Sequence, residues 1–154
     1  MTVKRVKNGR RVLCGQIATG TYNGSENRIQ LFDGKFTTGY RGVSFRIVPG
    51  APLTATEFMA KLSTEPKSTI SAVDMSDVQE VAWSQFGTST SYLFQNMEWV
   101  RDDNMLIEDV WISSYTTGTS PVDLNYEIIL EKYTFPAWDG AAILVENLRQ
   151  AGPQ

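Results

Sequence analysis

Carboxylates supply the first residues in this sequence that could do chemistry. They come as neighbours, Asp102-Asp103 and Glu108-Asp109. Glycoside hydrolysis uses two carboxylates facing each other across a cleft, roughly 5 to 9.5 Å apart. Neighbours on a strand point to opposite faces, so Glu108 and Asp109 are poorly placed to share one cleft. Asp102, Asp103 and Asn104 offer oxygen ligands of the kind calcium takes, but without the D-x-[DN]-x-[DN]-G spacing of a calcium loop, and a solvated turn is the simpler expectation. The chain of 154 residues contains no histidine and one cysteine, Cys14. That excludes a histidine general base, Ser-His-Asp and Cys-His nucleophiles, and any zinc or iron site built on histidine or several cysteines. The glycines in GTYNGSEN and TTGTSP match neither GxGxxG nor a phosphate loop ending in Gly-Lys-Ser/Thr. No catalytic set emerges, so no enzyme is expected, and no cofactor or metal.

Two other groups of side chains invite a binding role. Tyr22, Trp83, Trp99, Trp111, Tyr115 and Trp138 could form a platform for sugars, although their apolar neighbourhoods favour core or subunit packing. The second group is a basic start, MTVKRVKNGRR. Lys4, Arg5, Lys7, Arg10 and Arg11 precede the first acid, Glu26. The whole chain carries −3, yet residues 12–154 set nine cations against seventeen acids and carry −8. This asymmetry predicts a basic arm over residues 1–11, standing off an acidic body over 12–154 and meeting something anionic. A basic start with no apolar run behind it is not expected to be a secretory signal, and no stretch is apolar enough for a membrane helix.

The elements that must position these residues read as strands. A chain of this length suits one domain that buries roughly two thirds of its unfolded surface. Period-two alternation marks strands over 11–18, 28–32, 40–48, 78–86, 92–100, 106–115 and 124–133, with residues 58–62 either strand or a turn of helix. In 40–48, Val43, Phe45 and Ile47 are expected to share one face; in 124–133, Leu124, Tyr126, Ile128 and Leu130 point inward. Cys14, with apolar neighbours on both sides, is expected to be buried. Residues 63–77 read as a long polar loop able to cross the fold. The period changes at the end: Trp138, Ala141/Ala142, Leu144/Val145 and Leu148 predict one helical face over 138–150, between Pro136 and Gly152-Pro153. About eight strands and one C-terminal helix, without alternating helices, point to an all-β antiparallel sandwich or jelly roll.

The stretches GTYNGSENRIQLFDGKFTTGYRGVSFRIVPG and NMLIEDVWISSYTTGTSPVDLNYEIILEKYTF resemble small virion proteins encoded by marine bacteriophages. The resemblance runs from about Arg11 to the C-terminal helix and is one of texture, with no motif that carries over a functional residue. It implies a structural protein of the particle: a capsid jelly roll, a head-decoration protein, or a neck or tail component. Its partners would be copies of itself and other virion proteins, and packaged nucleic acid through the basic arm, with no membrane involved. A carbohydrate-binding or adhesin module is the competing expectation.

Overall fold

A computed structural model describes residues 5–18, 26–51, 57–66, 73–89, 92–117 and 122–150. Eight strands and one helix follow in order: β1 Val6–Ala18, β2 Glu26–Ile29, β3 Thr38–Pro49, β4 Glu57–Ser63, β5 Glu80–Ser89, β6 Tyr92–Val100, β7 Val110–Thr116, β8 Asp123–Thr134 and α1 Ala137–Gln150. They build two antiparallel sheets, one with the order β1-β8-β3 and the other β2-β7-β4-β5-β6. The expected all-β sandwich with a C-terminal helix is what forms, and residues 58–62 are strand.

Alternation explains the layers. Ile17, Phe45, Ile47, Leu124, Ile128 and Leu130 turn inward from the first sheet; Phe58, Ala60, Leu62, Phe86, Val110 and Ile112 meet them from the second. Phe45, Ile47, Ile112 and Leu124 are completely buried. On β3 the alternation breaks. The ladder to β8 shifts register between Gly42 and Ser44, which turns Val43 outward as the extra residue of a bulge. Val43 therefore does not share the face of Phe45 and Ile47.

The two sheets are joined along one side. Glu98 on β6 accepts hydrogen bonds from Ser44 Oγ (3.0 Å) and from the Phe45 backbone N–H (3.3 Å) on β3. Tyr40 on the same strand exchanges backbone hydrogen bonds of 2.7 Å with Leu106.

The helix packs through a different face from the one its apolar pattern suggests. Its buried side holds Gly140 and Ile143, with Leu144 and Asn147 beside them, against Met105, Ile107 and Phe135. Trp138 and Leu148 are each 69% exposed and Val145 is 55% exposed. Gly140 decides this rotation. A Cβ there would lie 1.9 Å from the Phe36 carbonyl oxygen, so the helix presses its only glycine onto another segment's backbone.

Candidate functional site

The basic segment is the first place to look, and the structure redraws its boundary. Lys4 lies outside the described residues. Arg5 is exposed ahead of β1, but residues 6–11 do not stand off the body: they are the first half of β1 and pair with β8, Val6 opposite Thr134 and Arg11 opposite Leu130. The cause is the length of β8, whose twelve residues give β1 a template well beyond Arg11. Gly9, at φ +101°, absorbs the register shift between Lys7 and Arg10, a conformation that favours glycine. Part of the expected anionic partner is supplied by the chain itself. Lys7 Nζ donates to Glu131 Oε1 at 2.6 Å, and the Tyr133 hydroxyl donates to the other oxygen of that carboxylate at 2.9 Å. These bonds, that of Lys7 first, hold the Glu131 carboxyl below its ordinary range, and the Lys7 ammonium is raised in return. Arg11 stacks over the Tyr40 ring, 5.5 Å from its centre. Arg5 and Arg10 are exposed and form no ion pair among the described residues.

Glu108 and Asp109 lie ahead of β7 rather than on the expected strand, and they still part in burial. Glu108 is exposed and Asp109 is buried. Asp109 is fully engaged: its Oδ1 accepts the backbone N–H groups of Leu31 (2.9 Å) and Phe32 (3.0 Å), and its Oδ2 accepts Arg28 Nε (2.7 Å). Burial pushes its carboxyl up, but the Phe32 amide, Arg28 and the Leu31 amide outweigh burial and hold it below the ordinary value. It is an anchor for the segment after β2. Asp102 and Asp103 are exposed, and Asp102 lines an open basin of about 460 Å³ with Arg41, Glu98 and Glu131. Among the described residues, no three His, Cys, Asp or Glu side chains are placed to hold a metal ion.

Four of the aromatics meet on one surface. The registers set Trp83 opposite Trp99, Lys61 opposite both Trp83 and Ser113, Met59 opposite Tyr115 and Ser63 opposite Trp111. All of these lie on the face of the five-stranded sheet turned away from the core. Arg101 covers the Trp99 ring at 5.3 Å. Tyr22 lies outside the described residues, and Trp138 is on the helix and exposed. Trp111 lines a groove of about 270 Å³ with Glu65, Glu108, Leu144, Asn147 and Leu148. Apolar walls and two acidic rims suit an amphipathic guest, such as a sugar ring or a basic side chain.

Two features of this face have no simple mark in the sequence. Lys61 and Glu80 form an ion pair with side chains only 4% and 5% exposed, and Glu80 Oε2 also accepts the Asp74 backbone N–H at 3.0 Å. The groove joins Glu65, Trp111 and Asn147, which are far apart in the chain. The one available signal is a lysine alternating with Met59 and Ser63 in a strand whose other face, Phe58, Ala60 and Leu62, is apolar. Cys14, expected to be buried, is exposed, because its side of β1 is the outer face of the three-stranded sheet. Among the described residues no helix is long and apolar enough to cross a membrane. Compared with protein-family models and with curated proteins, the chain matches none.

Proposed function

We propose that this protein is a non-enzymatic structural subunit of a bacteriophage particle, with a jelly-roll fold, assembling in many copies in the virion. The observation that carries this reading is the nesting of the strands. β1 pairs with β8, β2 with β7 and β4 with β5, while β3 and β6 lie side by side, joined by the hydrogen bonds to Glu98. A chain folded as one long hairpin and rolled into two sheets would nest its strands in this way, which supports a jelly roll, the architecture of many viral shell proteins and lectins, although β6 here is laddered to β5 in the second sheet rather than to β3 in the first. The step from that fold to a virion role is an analogy of architecture and texture. The exposed helix face of Trp138, Val145 and Leu148 supports it, since a subunit in a lattice has neighbours against which to bury such a face. The exposed cations Arg5 and Arg10 remain available for an acidic neighbour or packaged nucleic acid. The test is to purify particles from the encoding phage on a density gradient and count this chain by quantitative mass spectrometry. Many copies per particle are expected; its absence from intact particles refutes the reading.

The groove beside Trp111 favours a second reading, a carbohydrate-binding module. A glycan array separates the two. Specific binding that Trp111→Ala abolishes, from a protein missing in particles, selects the module.

A further inference from the structure

We infer that the free edge of β1 is a self-association surface, pairing antiparallel with β1 of a second copy about a two-fold axis at Cys14. The inference builds on the reading as an assembling subunit. It starts from how the sheet edges are finished. An open edge invites another strand, and proteins block edges with bulges, charges, short strands or covering groups. The outer edge of β3 is closed in three ways: the Val43 bulge, the mutual hydrogen bonds of Tyr40 with Leu106, and the Glu98 carboxylate on the Phe45 N–H. β6 lies against β3, and β2 has only four residues. β1 differs. Between Arg10 and Ala18 its ladder to β8 runs without interruption, with no proline and no bulge. On the side away from β8, no backbone group from Arg10 to Ile17 is hydrogen-bonded among the described residues, and only the Ala18 carbonyl is taken, by Ser114 Oγ.

Charge selects the direction. In parallel register, Arg10 and Arg11 would face their own copies, and like charges directly opposite each other are destabilising. Antiparallel pairing removes this. The nine regular residues have Cys14 at their midpoint, so a two-fold there sets Arg10 opposite Ala18, Arg11 opposite Ile17, Val12 opposite Gln16 and Cys14 opposite Cys14. A two-fold axis normal to the sheet also keeps every side chain on its own face, so Leu13 and Ile17 stay inward in both copies. The two three-stranded sheets become one of six strands, β3-β8-β1-β1-β8-β3. The basic residues then acquire a second role: Lys7, Arg10 and Arg11, with the Gly9 shift, mark where the pairing segment ends and which direction it takes.

Cys14 is an internal reporter. It is the only cysteine, it is exposed, and opposite residues in an antiparallel pair have Cα atoms about 4.5–5.5 Å apart. The full chain, reduced, is treated with the shortest bis-maleimide over a range of protein concentrations. A covalent dimer is expected. Val12 is 49% exposed and Gln16 is exposed on the same face, so V12K/Q16K leaves the core untouched while setting lysines opposite lysines. It should slow cross-linking at least tenfold with an unchanged circular dichroism spectrum. V12K/Q16E, which sets each lysine opposite a glutamate, should restore the rate. Added peptide of residues 10–18, with serine at 14, should compete in the unmodified protein, which covers the event that a variant fails to fold. Absence of the wild-type dimer, equal rates in the folded lysine variant, no recovery with V12K/Q16E, or indifference to the peptide each overturns the proposal. Particle incorporation is measured separately, so a dimer with no place in particles refutes the virion reading and leaves this one standing.

Discussion

The ion pair between Lys61 and Glu80 sets a sharp test of how this sandwich is held together. Its side chains are 4% and 5% exposed, so water cannot screen a charge left behind when its partner is removed. Glu80→Leu leaves the Lys61 ammonium without its carboxylate and the Asp74 N–H without its acceptor. Lys61→Met leaves the carboxylate with the Asp74 N–H as its remaining hydrogen bond. Breaking a buried pair from one side costs about 3–5 kcal/mol. Against a total stability of about 5–15 kcal/mol, either change removes a large share. With a urea dependence of about 2 kcal/mol per molar, each single variant should lower the unfolding midpoint by about 1.5–2.5 M. The double change Lys61→Met/Glu80→Leu behaves differently. It removes both desolvated charges and orphans only the Asp74 N–H, a loss of about 1–3 kcal/mol that apolar packing partly offsets. It should therefore fall within about 2 kcal/mol of the parent, far above the sum of the single costs. Urea titrations of the four proteins, followed by far-UV circular dichroism, measure this cycle. Single variants that each cost under about 1 kcal/mol, or additive costs in the double, would refute a dry, coupled pair.

The remaining predictions concern single residues. Gly140→Ala, which helix propensity alone would favour by about 1 kcal/mol, should instead loosen α1, because its Cβ meets the Phe36 carbonyl oxygen; faster amide exchange across 137–150 is expected, and slower exchange refutes the packing argument. Asp109 has a folded pKa below its unfolded value near 3.9, so its contribution is present above that value and is lost as pH falls through the lower folded value; Asp109→Asn should be less stable at pH 7, and its stability should fall less steeply between pH 5 and 3. Cys14 should react with a monofunctional maleimide in the folded protein at a rate close to that of a free thiol, and Cys14→Ser should change stability by no more than about 0.5 kcal/mol.

How much of this was legible in the sequence depended on the range of the forces involved. Alternation is local, and it marked seven of the eight strands, left 58–62 open between strand and helix, and picked out the inward set Leu124, Ile128 and Leu130. Where one residue or one distant partner decides, local pattern misled. Val43 looked like a core residue until a bulge turned it out. The helix carries two apolar faces, and the sequence shows the richer one, Trp138 to Leu148; the choice of the poorer face follows from Gly140 meeting Phe36, a contact across 104 positions. Cys14 has apolar neighbours in sequence, but its row across the sheet is Glu127 and Arg46, which belongs to the outer face. The basic start shows the same limit most clearly. Charge counting found the cations but could not see that β8 extends far enough to pair beside them. Once paired, they cease to be a free tether and become part of an edge, where charge sets direction and extent of contact as well as attraction. A salt titration then separates the two roles: as screening shortens to about 3 Å at 1 M salt, a tether held by charge lets go, whereas an edge held by backbone hydrogen bonds keeps its dimer and loses only the penalty that forbade the parallel register.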